Sequence, residues 1–274
     1  MKRNIIIYSI SILCIMSAHS QQAAKNFVLK QYDTLTSDII YLTTTDDLLY
    51  SNESIVTMDN WNELDSLSQI ELVKKYTIIG NKVNDSIILK QFYTAFLETL
   101  KTLGLKVILT KYDKIPDSLS PREHILNIRQ LELEEFVTND SIYADYNGKP
   151  YIYRKHLNGV RFNVWLFYNE KDSIQKLTLF CNEEITDNFQ GSMEFKHGKP
   201  VINYTLTKIN PNDAYKVAYA SGKTSAIYFF NLLLNQYVFK ETNGEDTHFY
   251  GLDFESGNLI MDDEPFDNFD VIEN

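Results

Sequence analysis

The sequence has little of the residue types that define several classes of protein. Its 274 residues include only 10 Gly, 6 Pro and 2 Cys, which excludes a collagen and a disulfide scaffold. Bases are also scarce, at 26 Lys+Arg against 37 Asp+Glu, and a net charge of -11 excludes a polybasic nucleic-acid binder. What is present, 44% hydrophobic and 13% aromatic residues, predicts an acidic globular protein.

The first twenty residues predict a secretory signal peptide. Lys2 and Arg3 give a positive start, residues 5–18 are apolar, and small residues precede a cleavage between Ser20 and Gln21. We therefore expect export to the periplasm or to the periplasmic face of the outer membrane, with no transmembrane helix in the mature chain.

Two alternatives to cleavage involve membrane attachment. Residues 5–18 fall short of the roughly twenty apolar residues that span a bilayer, so an anchor is disfavoured. Lipidation at Cys14 is disfavoured because Ile12 and Leu13 stand where a lipoprotein site resembles Ala or Ser followed by Gly or Ala. In the mature chain Cys181 is the remaining cysteine, and its apolar surroundings predict a buried, inert thiol.

The acidity is concentrated at the C-terminus. Loss of residues 1–20 removes two bases and no acid, so the net charge becomes -13, and residues 241–274 carry eleven of the acids and no Lys or Arg. Residues 247–261 predict a hairpin, followed by an acidic-aromatic end. That end is either a solvated terminus or a segment that docks on a basic envelope partner. Residues 21–240 are predicted to form a single globular domain.

Hydrophobic periodicity predicts an α+β or α/β fold in which two principal helices cover a mainly antiparallel sheet. The helices are expected at about residues 86–103, ending at Gly104, and 211–238, with a third helical pattern over 59–78. In the 211–238 helix, small residues recur every fourth position around Gly222 and predict close packing.

Strand-like runs and turn signals fill most of the remainder. The runs are residues 38–42, 105–109, 124–137, 151–156, 160–169, 175–182 and 201–209. Asn147-Gly148 and Asn158-Gly159 predict tight turns, the second a hairpin, and residues 195–200 predict another hairpin tip.

Motifs for cofactors and catalysis are incomplete. Ser221-Gly222-Lys223-Thr224 resembles the end of a phosphate-binding loop, but Val217 stands where that loop needs a glycine. The histidines are widely separated and no His-Glu-x-x-His occurs, so we predict no metal and no cofactor. Carboxylates are abundant, and a glycosidase-like pair among them stays open.

One tripeptide, Asp followed by Ser or Thr and then Leu or Ile, recurs along the chain. It resembles the O-glycosylation acceptor motif of periplasmic and surface proteins in Bacteroidota-type bacteria. That resemblance implies six acceptors, namely Thr34, Ser66, Ser86, Ser118, Ser141 and Ser173. The structural alternative is that Asp-Ser before an apolar run caps a helix or starts a strand. Both interpretations stay open.

Two segments carry a wider resemblance. The run from Phe92 to Val107, with Leu-Gly-Leu-Lys-Val at its end, and the run from Ala220 to Tyr237 look like an uncharacterised family of exported Bacteroidota proteins. The first run is also similar to envelope auxiliary lipoproteins associated with lipid or lipopolysaccharide transport. The likeness rests on packing positions, so it implies no catalytic residues.

From these features we expect a non-catalytic accessory or binding protein of the bacterial cell envelope, periplasmic or associated with the outer membrane. The alternative is a secreted hydrolase that acts on glycan or peptide through paired carboxylates. The first expectation follows from the signal peptide, the incomplete catalytic motifs and the acidic tail.

Overall fold

The structure is a computed structural model that describes residues 27–56, 61–116, 118–169, 176–242, 248–252, 259–262 and 270–272. Its helices are α1 (residues 27–35), α2 (Glu53–Val56), α3 (Ser66–Tyr76), α4 (Asp85–Thr102) and α5 (Pro211–Glu241), with 3₁₀ turns at Trp61–Glu63, Gly80–Lys82 and Tyr112–Lys114. Its strands are β1 (Ile39–Thr43), β2 (Leu49–Asn52), β3 (Lys106–Leu109), β4 (Glu123–Tyr146), β5 (Lys149–Asn169), β6 (Lys176–Thr186), β7 (Asn188–Lys196), β8 (Lys199–Thr207), β9 (Phe249–Leu252), β10 (Leu259–Asp262) and β11 (Asp270–Ile272).

The main sheet has the strand order β3-β1-β4-β5-β6-β11. The neighbouring pairs β4–β5, β5–β6 and β6–β11 are antiparallel. Strand β1 is parallel to both of its neighbours, β3 and β4. Strand β2 is parallel to β4 and pairs with a later segment of it than β1 does. A mixed α/β fold with a mostly antiparallel sheet is therefore confirmed, with parallel pairings at one side that the sequence did not indicate.

Helices α4 and α5 pack against each other and, through α5, on β5 and β6. The predicted helix start is confirmed, because Asn210 forms a capping box with Asp213 and Pro211 is the first helical residue. The close approach is confirmed as well: a Cβ on Gly222 would lie 2.3 Å from the Phe92 carbonyl oxygen of α4. Gly104 ends α4 with a φ of +85°, as its position predicts.

The prediction of one helix over residues 59–78 is wrong in its first half. A 3₁₀ turn covers Trp61–Glu63, and α3 begins only at Ser66. The boundary has a local cause: the Asp65 carboxylate accepts hydrogen bonds from the Ser68 N–H at 2.9 Å and the Ser68 hydroxyl at 3.1 Å. This arrangement is an N-cap, and it fixes where the helix starts.

The predicted hairpin at Asn158-Gly159 is also wrong. Both residues lie inside β5, which runs unbroken from the turn at Asn147-Gly148. A Cβ on Gly159 would lie 2.3 Å from Phe136 Cζ, so glycine is required for that ring to lie across the strand. The Asn158 main-chain N–H and side-chain Nδ2 donate to Asp187 Oδ2 at 3.1 and 3.0 Å. The dipeptide therefore serves long-range packing and not a turn.

Two true hairpin turns lie at the far end of the molecule. Asn147 and Gly148 have φ values of 53° and 73°, and His197 and Gly198 have 53° and 77°, which is the signature of a type I′ turn. The far part of the β4–β5 ribbon and the β7–β8 hairpin pack against each other through stacked aromatic rings, including Tyr146 on Phe195 with centroids 4.3 Å apart.

The described parts of residues 241–274 pair with the rest of the fold. Strands β9 and β10 form an antiparallel pair within the predicted hairpin range, and Tyr250 of β9 is buried in the core. Asn235 of α5 holds Tyr250 by two hydrogen bonds of 2.7 Å to its main chain. Strand β11 extends the main sheet beside β6.

Candidate ligand-binding site

A cavity of about 400 Å³ lies between β2, α3, the Gly80–Lys82 turn and the first turn of α4. Its apolar wall consists of Leu48, Leu49, Ile70 and Val73. Its polar wall consists of Tyr50, Thr77, Asn81 and Asp85. A largely apolar lining with a few polar groups is typical of a small-molecule site, and the volume lies within the usual range of roughly 300–1,000 Å³.

One short hydrogen bond joins Tyr50 and Asp85, two of the polar lining residues, and we call this pair the polar end of the cavity. The Tyr50 hydroxyl donates to Asp85 Oδ1 at 2.6 Å. Burial, and next the hydrogen bond to the Asp85 carboxylate, raise the pKa of Tyr50 well above its ordinary value. The phenol therefore stays protonated, and the remaining lone pairs of Asp85 are left to accept a hydrogen bond from a ligand.

A buried carboxylate holds the cavity wall in place. Glu135 of β4 is only 6% exposed and accepts three main-chain hydrogen bonds, from Ile78 and Ile79 at 2.7 Å each and from Gly80 at 2.9 Å. Successive N–H groups that converge on one carboxylate form a stable anion-binding loop. Glu135 thereby fixes the loop that places Thr77, Gly80 and Asn81 around the cavity.

Exposed apolar side chains continue from the cavity onto the surface. Leu67 and Ile70, one turn apart on α3, are 74% and 50% exposed, and Leu49 of β2 is 47% exposed. Because residues three apart lie on the same face of a helix, the Leu67–Ile70–Val73 row leads along α3 into the cavity. We call the cavity together with this row the α3 groove.

A second polar cluster joins distant elements around one fully buried carboxylate. Asp38, which is fully buried, accepts hydrogen bonds from Arg122 Nε at 3.0 Å and from the Tyr237 hydroxyl at 2.7 Å, and lies 2.8 Å from His124 Nε2. His124 Nδ1 lies 3.0 Å from the Tyr168 hydroxyl. This cluster connects the lead-in to β1 with β4, β5 and α5, so its chemistry is that of a structural clamp.

Two carboxylates of the sheet, those of Glu134 and Glu184, form ion pairs with one arginine. Arg161 Nη2 lies 2.8 Å from Glu184 Oε2, and Arg161 Nη1 lies 3.5 Å from Glu134 Oε2. The two carboxylates thus share one guanidinium, which differs from two carboxylates flanking a substrate. Of the described residues that line the α3 groove cavity, Asp85 is the one with a carboxylate.

The residues predicted as processing and modification sites do not gather at one place. Cys14, Ser20, Gln21 and Ser173 lie outside the described residues. Ser66, Ser86, Ser118 and Ser141 are exposed, whereas Thr34 is half-buried in α1 and donates to the Lys30 carbonyl at 3.0 Å. Ser86 follows Asp85 and is the one of the six acceptors closest in sequence to the cavity lining. Glycosylation at these positions stays a prediction.

The interpretations of Cys181 and of the phosphate-loop-like tetrapeptide are supported by their surroundings. Cys181 is buried in β6 with its Sγ 2.6 Å from Ser225 Oγ, and burial raises its pKa to about 12. Ser221-Gly222-Lys223-Thr224 lies inside α5, where Ser221 donates to the Phe162 carbonyl at 3.0 Å and Thr224 to Glu183 at 2.6 Å. Both hydroxyls are therefore occupied by packing contacts.

Sequence reasoning did not identify Tyr50, Asp85 or Glu135 as site residues. The sequence does carry a signal for Glu135. The buried residues Leu131 and Leu133 alternate along β4, and the same alternation predicts an apolar residue at position 135. A charged residue on the buried face of a strand needs partners. The sequence does not show which residues those partners are.

Comparison with known protein families gave no match, and comparison with curated proteins gave none either. Among the described residues, no group of His, Cys, Asp and Glu is arranged to hold a metal ion. No helix in the described ranges is both long enough and apolar enough to cross a bilayer. The α3 groove is thus the feature that carries the functional argument.

Proposed function

We propose that the protein is a non-catalytic binding component of the bacterial cell envelope, whose α3 groove holds an amphipathic ligand with an apolar chain. The observation that carries this proposal is the continuity between the apolar wall of the cavity and the exposed row of Leu67 and Ile70 on α3. The signal peptide predicted from residues 1–20 supports the envelope location.

The chemistry of the polar end defines the head group of the ligand. The Tyr50 hydroxyl already donates its hydrogen bond to Asp85. The two residues together therefore offer a ligand acceptor lone pairs and a negative charge. An alcohol or an amine satisfies these acceptors, whereas a carboxylate head is repelled by Asp85. We therefore expect cationic or hydroxyl head groups to be preferred over anionic ones with the same chain.

Binding of 1-N-phenylnaphthylamine to the mature chain, followed by its displacement, tests the proposal. Dodecylamine is expected to displace the dye at lower concentration than dodecanoate, and Asp85→Asn is expected to narrow that difference. Ile70→Asp places a charge in the apolar wall and is expected to weaken dye binding about tenfold or more.

The matched control for Ile70→Asp is Ile152→Asp, because Ile152 in β5 is 46% exposed and Ile70 is 50% exposed. Equal loss of dye binding in the two variants would show that the effect is not specific to the α3 groove. The assigned head-group site would be contradicted if dodecylamine and dodecanoate displaced the dye at the same concentration and Asp85→Asn left both concentrations unchanged.

The hydrolase alternative stays a prediction. It needs two carboxylates that face one substrate-sized cavity, and among the described residues the lining of the α3 groove cavity includes one carboxylate, that of Asp85.

A further inference from the structure

Strand β3 lies at one edge of the main sheet. Among the described strands it pairs with β1 on one side and has no neighbour on the other. Residues 97–116, which include the end of α4 and all of β3, are described without a gap. An unpaired strand edge presents main-chain N–H and C=O groups that pair readily with another extended chain. This edge is therefore a place where a further strand can be added.

The hydrogen bonds between β3 and β1 show which main-chain groups of β3 stay open. The Lys106 N–H donates to the Asp38 carbonyl and the Thr110 N–H donates to the Leu42 carbonyl, at 3.0 Å each. Along a strand, alternate residues direct their N–H and C=O groups to opposite edges. The residues between, Val107 and Leu109, therefore direct these groups away from β1 and towards the open edge.

A groove of about 530 Å³ lies beside this edge, between β3 and the last turns of α4, and we call it the β3 groove. Its apolar lining comes from Leu97 of α4 and from Leu105, Val107 and Leu109. Leu109 is 59% exposed. Val107 and Leu109 thus contribute both open main-chain groups and apolar lining. A strand added beside β3 would place every second side chain on the side of the sheet where α4 lies, over the β3 groove.

The β3 groove has a positive border, although the protein as a whole is acidic. Lys101 of α4 and Lys106 of β3 both line the groove and both are exposed. Neither forms an ion pair with a described residue. Residues 101–114 contain four Lys and one acid, Asp113, whereas the net charge of the chain is -11. A local charge of this sign attracts an acidic ligand.

We propose that the edge of β3 and the β3 groove bind an extended acidic segment of a partner protein, with aliphatic side chains at alternate positions. The segment adds a strand to the sheet, and its main chain pairs with Val107 and Leu109. Its aliphatic side chains lie over the groove, and its carboxylates balance the charges of Lys101 and Lys106. Main-chain pairing supplies affinity, while the groove and the lysines supply selectivity.

Two other occupants fit this surface less well. A small apolar molecule fills the groove but leaves the open main-chain groups of Val107 and Leu109 to water. A second copy of this chain, paired edge to edge, brings the lysines of two β3 grooves together, and like charges oppose that pairing. Lysine on an edge strand commonly protects a protein from self-association in this way. An acidic segment turns the same charges into an attraction.

Fluorescence anisotropy of a labelled peptide with the mature chain tests the proposal. The probe is a fluorescein-labelled peptide of four Glu-Val repeats. We expect saturable binding that weakens as salt is added, and binding of four Lys-Val repeats that is about tenfold weaker or more. Four Glu-Ser repeats keep the charge and lose the aliphatic side chains, so we expect them to bind about tenfold more weakly as well.

N-methylation of the probe tests strand addition itself. Methylation of every Val nitrogen and methylation of every Glu nitrogen each remove four N–H groups from the four repeats, but on opposite edges of the added strand. One of the two peptides is therefore expected to bind like the unmethylated probe, and the other is expected to lose binding. Equal affinities of the two methylated peptides would contradict a strand that pairs with β3 along one edge.

Variants of the protein test the residues of the edge. Leu109→Pro removes an N–H that β1 does not use, so the sheet keeps its own hydrogen bonds. Leu109→Ala is the matched control, because it shortens the same side chain and keeps the N–H. We expect Leu109→Pro to weaken probe binding about tenfold more than Leu109→Ala does. The double variant Lys101→Glu and Lys106→Glu should lose the preference for Glu-Val over Lys-Val repeats, whereas Lys199→Glu, at an exposed turn, should keep it.

The outcomes separate this proposal from the one for the α3 groove, because Ile70→Asp is expected to leave probe binding unchanged. Absence of binding by four Glu-Val repeats at millimolar concentration overturns the proposal. Equal binding of Glu-Val and Lys-Val repeats overturns it too, as does an equal effect of Leu109→Pro and Leu109→Ala. Self-association of the chain without peptide, if Leu109→Pro abolishes it, would assign the edge to a second copy instead.

Discussion

Glu135 is the residue whose replacement tests most directly how the α3 groove is built. Its carboxylate is buried and receives the main-chain N–H groups of Ile78, Ile79 and Gly80, at 2.7–2.9 Å. Glu135→Ala removes all three acceptor contacts at once. We expect the loop to lose its fixed position and the cavity wall to loosen, so stability and ligand binding fall together.

The expected loss in the free energy of unfolding follows from how exposed each of the three N–H donors is. Ile79 is 1% exposed, so its N–H cannot reach water and is left unsatisfied at a cost of about 2–3 kcal/mol. Ile78 is 48% exposed and Gly80 is partly exposed, so water can replace their partner and each bond costs only about 0.5–1 kcal/mol. Glu135→Ala is therefore expected to lower the free energy of unfolding by about 3–5 kcal/mol. Glu135→Gln keeps one oxygen and is expected to cost about 1–2 kcal/mol.

Urea unfolding monitored by circular dichroism measures these differences, and dye binding to the α3 groove is measured in the same samples. The control is Glu132→Ala on the same strand, a partly exposed carboxylate on the opposite face of the sheet from Glu135, for which we expect a loss of less than about 0.5 kcal/mol. The reasoning is refuted if Glu135→Ala costs less than about 1 kcal/mol, or no more than Glu132→Ala.

Three further predictions concern the core. Burial and the hydrogen bond to Asp38 raise the pKa of Tyr237. The stabilisation that comes from the protonated Tyr237 hydroxyl is therefore complete below about pH 10 and is lost as the pH rises further. Tyr237→Phe should flatten the fall of the urea midpoint above that pH. Gly222→Ala should lower the free energy of unfolding by about 1–3 kcal/mol despite the better helix propensity of Ala, because the added Cβ meets the Phe92 carbonyl oxygen. Thermal unfolding measures this loss, and an unchanged midpoint would contradict the close contact. Burial raises the pKa of Cys181 to about 12, so its thiol should react with Ellman's reagent in urea but not in the native protein, and rapid native labelling would refute its burial.

The features that the sequence predicts well are those with a local cause. The start of α5 depends on Asn210, Pro211 and Asp213, which are neighbours in the chain, and the end of α4 depends on Gly104. The turn at Asn147-Gly148 follows from the φ values that this dipeptide tolerates. In each case the deciding contacts lie within a few residues of the signal.

The same dipeptide signal fails at Asn158-Gly159 because distant residues decide its conformation. Phe136 covers Gly159 from β4, and Asp187, at the end of β6, holds Asn158. The α3 groove is unpredictable for the same reason: Glu135 meets its partners 55 to 57 positions away, and Tyr50 meets Asp85 at a separation of 35. A pattern of residue types can mark Glu135 as a buried charge, but the pairing is a property of the fold.

The period of two along β4 explains why two neighbouring glutamates have entirely different partners. Glu135 points to the side of the sheet on which the helices lie and holds the wall of the α3 groove. Glu134, one residue earlier, points to the opposite side and accepts a hydrogen bond from Asn163. Their different partners follow from that alternation and not from any difference in side-chain chemistry. A slip of β4 by one residue would put Phe136 in the place of Glu135 or Leu133 in the place of Glu134, depending on its direction. Either the buried Ile79 N–H or the Asn163 amide would then lose its carboxylate acceptor. The wall of the α3 groove therefore depends on the register of β4 as well as on the side chain of Glu135.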